Sequence, residues 1–335
     1  MSLSTALTDT LGIDVPVVQA PIGSATTPEL AAAVADAGGL GTLAVTWRSP
    51  DDARRALRDA RERTEGVVAA NVVVDDAAKS VPTGAHVDAA LDAGVDVVSF
   101  SFGDPAGHVE RVHDAGGTVL QTVGSASEAE AAIGAGVDVV VAQGWEAGGH
   151  VQSDVATMPL VPRVVDAVPE TPVVAAGGIA DGRGLAAALA LGADGAWLGT
   201  RFLATEEAAV HRAYCERVIA ADETETVFGT AFDEGWPDVP HRVLENETTA
   251  AWEAAGRPGE GRPGAGETVA EAPDGEPVGR YEDSLAVPGT TGDVTELPLY
   301  AGQSAGLTAG RQSAGEVVTD LVSEARDAVA TLPGT

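Results

Sequence analysis

The sequence is poor in cysteine and in aromatic residues. A single cysteine, Cys215, stands among 335 residues, which excludes an intramolecular disulfide and a cysteine-ligated metal cluster. Aromatic residues make up only 4% of the chain, whereas hydrophobic residues reach 44%. The core must therefore be built mainly from Val, Ala and Leu. Such small side chains suit many short helices packed closely on a parallel sheet.

Basic residues are also scarce. Lys and Arg number 19 against 51 Asp and Glu, the formal net charge is −32, and Lys79 is the only lysine. A surface this acidic repels nucleic acid and anionic lipid, because both bind to basic patches. The acidity is spread along the whole chain, which predicts either simple solubility or adaptation of a halophilic protein to a salt-rich cytoplasm.

Long hydrophobic runs are missing as well. No stretch approaches the roughly 20 apolar residues of a membrane span. The first sixteen residues lack the basic region followed by an apolar run that marks a secretory signal. We therefore expect a soluble cytoplasmic protein with no membrane partner, and we expect no metal site.

Short β-branched runs alternate with Ala-rich helical segments from about residue 15 to about residue 205. The runs are nearly continuously apolar, as expected for strands that are covered on both faces. They occupy residues 15–20, 41–45, 67–73, 95–103, 118–124, 137–144, 172–178 and 195–203. Eight such βα units favour an α/β fold of the closed (β/α)₈ (TIM) barrel type, because a doubly wound open sheet would use five or six.

The composition changes after about residue 216, where Gly, Pro and acidic residues become frequent. We interpret residues 216–298 as a small loop-rich appendage near the barrel mouth, inserted between the last barrel strand and the C-terminal helix. Residues 1–215 and 299–335 would then form the barrel. The segment 216–298 is called the appendage below.

Paired glycines follow the seventh and eighth predicted strands, where barrels commonly bind phosphate. They are Gly177 with Gly178, and Gly199 followed by Thr200. Glycine lets backbone N–H groups approach an anion closely, and Thr200 adds a hydroxyl donor. Each pair alone could merely permit a tight turn. Both pairs together, at the expected loops, predict a phosphate site.

The loop after the sixth strand reads Gln-Gly-Trp-Glu-Ala-Gly-Gly-His and ends at His150. Gly148 and Gly149 would allow a flat ring to approach the backbone. His150 is the only histidine in a strand-end motif, whereas the other five fall in predicted helices or in the appendage, where packing or surface roles are favoured. Most histidines need no function, but at a barrel mouth beside a phosphate site His150 is a credible proton acceptor near neutral pH.

Asn71, Gln121 and Gln143 are amide side chains that lie in or at the end of predicted strands. A buried amide without a partner is costly, so each needs a structural partner or a ligand. Several amides at one barrel end suit the donors and acceptors along a flavin edge. The sequence contains no Walker loop and no G-x-G-x-x-G after its first strand.

Along nearly its full length the chain resembles the nitronate monooxygenase family. The matching stretches are QAPIGSATTPELAAAVADAGGLG, AANVVV, SFSFGDP, AQGWEAGGH, AAGGIADGRGLAAALALGADGAWLGTRF, WPDVPHRVLEN and YAGQSAGL. The pairing of AQGxEAGGH with SFxFGxP is the more specific feature, since several of the other stretches also occur in related flavin barrels.

The resemblance implies FMN held without a covalent link. Its phosphate would lie on Gly178 and on Trp197, Leu198, Gly199 and Thr200. Its ring would contact Asn71, Gln143, the backbone of Gly148 and the first motif, Ala20-Pro21-Ile22. His150 would remove a proton from the carbon that bears the nitro group. A small nitro compound and molecular oxygen would be the partners, carbonyl compound and nitrite the products, and a homodimer is left open as the assembly.

Two positions depart from the family pattern. Ile22 stands where Met is frequent, and Ser101 stands in SFxFG where His is frequent. With both changes, the resemblance does not identify the substrate. The alternatives are an FMN-dependent enoyl-[acyl carrier protein] reductase, an NAD(P)H:quinone reductase on the same barrel, and a flavin-binding protein without turnover.

Overall fold

Eight parallel strands form the centre of the computed structural model, which describes residues 3–331. They are β1 (Val17–Gln19), β2 (Gly41–Ala44), β3 (Val68–Val73), β4 (Val97–Ser101), β5 (Thr118–Val123), β6 (Val139–Gln143), β8 (Val173–Ala176) and β9 (Gly195–Leu198). The strand order is β1-β9-β8-β6-β5-β4-β3-β2, and a parallel bridge between Val18 and Leu40 joins the two ends of the sheet. The predicted (β/α)₈ barrel is confirmed.

Helices alternate with these strands and surround the barrel. They are α1 (Ala6–Leu11), α2 (Pro28–Asp36), α3 (Pro50–Arg63), α4 (Thr83–Asp92), α5 (Ala106–Asp114), α6 (Ala126–Gly134), α7 (Thr157–Ala167), α8 (Gly182–Ala190), α9 (Thr200–Leu203) and α10 (Arg212–Ala220), with α12 (Ala314–Ala330) packed against α8. Ser, Thr and Asp side chains cap several of them, such as Thr27 of α2, which accepts a hydrogen bond from the N–H of Leu30. No helix among residues 3–331 is both long and apolar enough to cross a membrane.

Two hydrophobic layers stabilise the barrel. The inner layer fills the barrel with small and branched side chains and is closed from below by Leu7 of α1. The outer layer lies between strands and helices, and it is dominated by Val, Ala and Leu, as the composition required. Because these residues fill the barrel, it is a packed core, and ligands are confined to its mouth.

One predicted strand extends through a turn into a helix. Residues 195–203 were expected to be continuous β-structure, but β9 ends at Leu198 and α9 begins at Thr200. Gly199, with φ −109° and ψ −65°, already adopts a helical ψ and turns the chain. The apolar run continues through the turn because Phe202 and Leu203 are buried against the outer layer.

Between α10 and α12 the chain forms two small antiparallel sheets and one helix. The strands are β10 (Thr226–Gly229), β11 (His241–Leu244), β12 (Thr268–Glu271), β13 (Pro277–Gly279) and β14 (Thr291–Gly292), and the helix is α11 (Glu247–Ala254). The two-residue strand β7 (Gly149–His150), from the loop after β6, pairs with β11. The sheet order β10-β11-β7 thereby ties this region to the barrel mouth.

Candidate active site

A cavity of about 430 Å³ opens at the C-terminal ends of the barrel strands. This volume lies in the range of small-molecule and cofactor pockets. Each of the eight barrel strands contributes to its wall through a residue in its last three positions or just beyond them: Ala20, Ala44, Asn71, Ser101, Thr122, Gln143, Ala176 and Trp197. In barrels this end carries function, so the cavity is the candidate active site.

Most of the residues singled out from the sequence line this cavity. They are Ala20, Pro21, Ile22, Asn71, Gln143, Gly148, Gly149, His150, Gly178, Trp197, Gly199 and Thr200. Gln121, Gly177 and Leu198 are not among the lining residues. The Nε2 of Gln121 donates to the carbonyl of Gly103 at 3.0 Å. Leu198 is directed into the outer layer, and Gly177 packs against the loop after β6.

The loops after β8 and β9 meet the C-terminal part of the chain at one end of the cavity. Gly178 has φ +72°, a conformation that favours glycine. The Oγ1 of Thr200 accepts a hydrogen bond from the N–H of Gly302 at 2.9 Å, so its own hydrogen is free to donate. Of the described residues that line the cavity, none is Lys or Arg. An anion bound here would be held by backbone N–H groups and hydroxyls.

The loop that carries His150 is held at both ends. The Nε2 of Gln143 donates to the carbonyl of His150 at 3.1 Å, and its Oε1 accepts from the N–H of Gln152 at 2.9 Å. In β11, Arg242 is buried, donates from Nη2 to the carbonyl of Trp145 at 3.0 Å and stacks on that ring at 4.2 Å. Gln143 and Arg242 together fix the backbone of His150.

Aromatic rings enclose the imidazole of His150. The ring centroids of Trp236, His241, Tyr300 and Phe102 lie 4.2, 5.4, 5.5 and 6.2 Å from it. Its Nε2 is buried and has no hydrogen-bond partner. Burial lowers the pKa of His150 to about 3, because the enclosed site disfavours the charged imidazolium. The side chain is therefore neutral in the resting protein.

The carboxylate of Asp283 is the acidic group beside this imidazole. Its Oδ2 lies 3.8 Å from the Nε2 of His150, and its Oδ1 accepts a hydrogen bond from the hydroxyl of Tyr300. Burial raises the pKa of Asp283 above its usual value, while the Tyr300 hydrogen bond and His241 oppose that rise. Burial also raises the pKa of Tyr300, so its hydroxyl keeps its proton.

Trp236, His241, Asp283 and Tyr300 were not predicted as site residues. His241, for which a packing or surface role was predicted, is buried and stands opposite His150 in the β7–β11 pair, as a packing role requires. The stretches that carry them were visible: WPDVPHRVLEN holds Trp236 and His241, and Tyr300 opens YAGQSAGL. Asp283 lies in no motif that the sequence singled out.

His241 is fixed in one neutral tautomer. Its Nε2 accepts from the N–H of Phe232 at 3.1 Å, and its Nδ1 lies 3.2 Å from the carbonyl of Val239, to which it donates. Burial lowers the pKa of His241 to about 4. Protonation would turn the Nε2 of His241, which accepts the hydrogen bond from the N–H of Phe232, into a donor. The folded protein therefore disfavours the charged form of His241.

This arrangement predicts a pH-dependent stability. In the unfolded chain, His241 has its ordinary pKa of 6.5 and binds a proton below that pH, whereas in the folded protein it stays neutral down to about pH 4. The free energy of unfolding therefore falls as the pH drops from 6.5 towards 4. Between about pH 7.5 and about pH 5, the wild type should lose about 2 kcal/mol more than His241→Gln, in which this position does not titrate. Urea unfolding of both proteins at the two pH values measures the difference; parallel losses would contradict it.

The chain is similar to known proteins over most of its length. The sequence profile of the nitronate monooxygenase family matches residues 4–324. A Mycobacterium tuberculosis (3aS,4S,5R,7aS)-5-hydroxy-7a-methyl-1-oxo-octahydro-1H-indene-4-carboxyl-CoA dehydrogenase is 39% identical over 259 residues, 77% of this chain and 70% of that one. A probable nitronate monooxygenase of Staphylococcus saprophyticus is 34% identical over 289 residues, 74% of this chain and 80% of that one.

Solved structures with the same fold cover almost the whole chain. FabK from Thermotoga maritima superposes with a TM-score of 0.81 at 31% identity, over 98% of each chain. A nitroalkane oxidase from Streptomyces ansochromogenes superposes with a TM-score of 0.78 at 29% identity, over 98% of this chain and 100% of that one.

Proposed function

The chain belongs to the nitronate monooxygenase family, a family of oxidoreductases, and from this premise we propose that it oxidises alkyl nitronates and nitroalkanes with molecular oxygen, using FMN. The observation that carries the proposal is the enclosed imidazole of His150, which burial keeps neutral, beside the cavity at the C-terminal mouth of the barrel. A neutral imidazole in an enclosed aromatic site can act as a general base that removes a proton from carbon.

The residues at the phosphate end of the cavity, which is the end formed by Gly178, Gly199 and Thr200, fit FMN. A Cβ at Gly199 would point towards Ala20 and Ile22, 3.5 Å from the nearest atom of each, where the sequence places the cofactor. A Cβ at Gly149 would meet no atom within 4 Å, so the backbone there is open to a flat ring. Gly178, Gly199 and Thr200 would hold the phosphate, and Asn71 and Gly148 would face the ring. FMN held there would supply the electron-transfer chemistry between nitronate and oxygen.

The chain's own residues perform the proton chemistry. His150 takes the proton from the carbon that bears the nitro group, and the electron pair of the broken C–H bond moves onto the nitro oxygens. Gln143 and Arg242 hold the His150 backbone in position, and the rings of Trp236 and Phe102 exclude water from the imidazole. Overall, two nitronate anions and one oxygen molecule give two carbonyl compounds and two nitrite ions, so that atoms, electrons and charge balance.

The cavity favours a small substrate without phosphate groups. Its lining includes the apolar side chains of Trp47, Trp236, Leu285 and Val287, and the described lining residues include no Lys or Arg. A coenzyme A thioester or a nicotinamide dinucleotide carries several phosphates, which proteins usually bind through Arg or Lys. A nitroalkane needs no such partners.

A second candidate is oxidation or reduction of an acyl thioester, as in an FMN-dependent enoyl-[acyl carrier protein] reductase. The observation that favours it is the 39% identity to a carboxyl-CoA dehydrogenase, since that relative acts on a thioester. An NAD(P)H:quinone reductase would use the same barrel. Both would consume a nicotinamide cofactor or release one, whereas nitronate oxidation would not.

An aerobic assay in high salt separates these functions. With propyl nitronate, we expect nitrite to be released in step with oxygen consumption and without any nicotinamide. With NADH and either an enoyl thioester or a quinone, we expect no turnover beyond a protein-free control. Rapid NADH oxidation that depends on a thioester or a quinone, without nitrite release from propyl nitronate, would contradict the proposal.

A further inference from the structure

Asp283 is supplied to the barrel mouth by the appendage, and its backbone is fixed there. Its N–H donates to the carbonyl of Glu234 at 2.9 Å, and the adjacent Glu282 forms a parallel bridge with Glu234. Its side chain lines the same cavity as His150 and is mostly buried. A buried carboxylate is costly unless it is paired or hydrogen-bonded, so its place here requires an explanation.

The orientation of this carboxylate is set by Tyr300. The tyrosine hydroxyl donates to Oδ1, which directs Oδ2 towards the imidazole of His150. Tyr300 is itself anchored, because its carbonyl accepts a hydrogen bond from the hydroxyl of Tyr214 and its backbone bridges to Val243 of β11. The chain of contacts Tyr214, Tyr300, Asp283 and His150 therefore runs from the outer layer to the cavity.

We propose that Asp283 is a positioning residue for His150: its carboxylate holds the imidazole in the tautomer that carries the hydrogen on Nε2, which leaves Nδ1 to accept the substrate proton. This inference rests on the proposed function. In the step, the C–H bond breaks, the proton goes to Nδ1, and the electron pair moves onto the nitro group. The imidazolium that results is balanced by the Asp283 carboxylate.

The other titratable groups around His150 cannot take this role. His241 is locked as a neutral imidazole by Phe232 and Val239, and Tyr300 keeps its proton because burial and Asp283 raise its pKa. The described lining residues add no Lys or Arg that would compete for the carboxylate. Burial disfavours the charged form of His150. A nearby carboxylate stabilises the imidazolium and so lowers the free-energy cost of proton uptake.

A consequence for substrate choice follows. The imidazole–carboxylate pair suits a neutral carbon acid that loses its proton inside the cavity. The pair therefore equips the site for neutral nitroalkanes in addition to preformed nitronates, which need no base.

The first test reads the tautomer and does not depend on turnover. In Asp283→Asn, the hydroxyl of Tyr300 should retain the amide oxygen, so the amide NH₂ faces His150 and donates to Nε2. We expect ¹⁵N–¹H NMR of histidine-labelled protein, assigned with His150→Asn, to show the hydrogen on Nε2 in the wild type and on Nδ1 in Asp283→Asn. A hydrogen on Nδ1 in the wild type, or an unchanged tautomer in the variant, would overturn the proposal.

The second test compares two substrates. Asp283→Asn should lower kcat for a neutral nitroalkane by about 10²–10⁴-fold, as expected for a lost general base, while oxidation of the preformed nitronate stays within about threefold. Asp274→Asn removes the same charge from an exposed position of the appendage and should change neither rate. Equal losses on both substrates would show that Asp283 only supports the fold. If the wild type oxidises neither substrate, the proposed function fails, and the tautomer measurement still decides the role of Asp283.

Discussion

Replacing His150 with asparagine is expected to lower kcat for a neutral nitroalkane by about 10²–10⁴-fold, the usual contribution of a general base. The imidazole is the enclosed base of the cavity, and burial keeps it neutral in the resting protein. Asparagine cannot accept a proton near neutral pH, but it is similar in size and keeps the backbone bond to Gln143. FMN binding should persist, because the phosphate end lies on other loops.

Steady-state nitrite release from a nitroalkane and from its preformed nitronate measures the effect. The nitronate has already lost its proton, so its oxidation should survive the substitution. The matched control is His113→Asn on the exposed face of α5, which should leave both rates unchanged. Undiminished turnover of the neutral nitroalkane by His150→Asn would remove His150 as the base.

Replacing Gly199 with leucine is expected to raise the dissociation constant of FMN by about 100-fold or more. The backbone of Gly199 has φ −109°, so a side chain adds no left-handed strain. Its Cβ would contact Ala20 and Ile22 at 3.5 Å, and the rest of the leucine would extend into the cavity. Loss of two hydrogen bonds to a charged phosphate costs about 3–6 kcal/mol, and each 1.4 kcal/mol is about tenfold in affinity.

Flavin occupancy from the visible spectrum, together with thermal unfolding of the apoprotein, reports this effect. The control is Gly107→Leu in α5, where a Cβ would meet no atom within 4 Å. That variant should purify with full flavin content. A Gly199→Leu protein that is also fully loaded would show that the phosphate lies elsewhere.

The barrel could be predicted from the sequence because buried parallel strands leave a clear pattern. Eight continuous apolar runs separated by Ala-rich helices admit few other folds. The strand predicted over residues 195–203 extends into α9 for the same reason. A buried helical turn such as Thr200–Leu203 is as apolar as a strand, so hydrophobicity alone does not locate the boundary at Gly199.

The barrel mouth was predictable from the sequence, because strand C-termini and glycine pairs mark it. The direction of each side chain was not. Successive residues of a strand face opposite sides, so Trp197 lines the cavity while Leu198 points to the outer layer. Gln121 turns to the carbonyl of Gly103, a partner in another loop that no local pattern reveals.

The remaining side chains around His150 could not be placed from sequence. Trp236, His241 and Asp283 lie in irregular segments and short strands of the appendage, and Tyr300 follows it. Contacts between such segments and the barrel join residues about 90 to 150 positions apart. Hydrophobic periodicity describes local structure and gives no information on which distant loop covers the mouth.

The central claim is that this site takes electrons from a nitro compound and not from a nicotinamide. Anaerobic mixing of the FMN-loaded protein, in high salt, with propyl nitronate in one sample and NADH in another tests it most directly. We predict that the visible absorbance of the flavin is lost with the nitronate alone and that nitrite appears when air is admitted. Rapid bleaching by NADH, with a spectrum unchanged by the nitronate, would contradict the account.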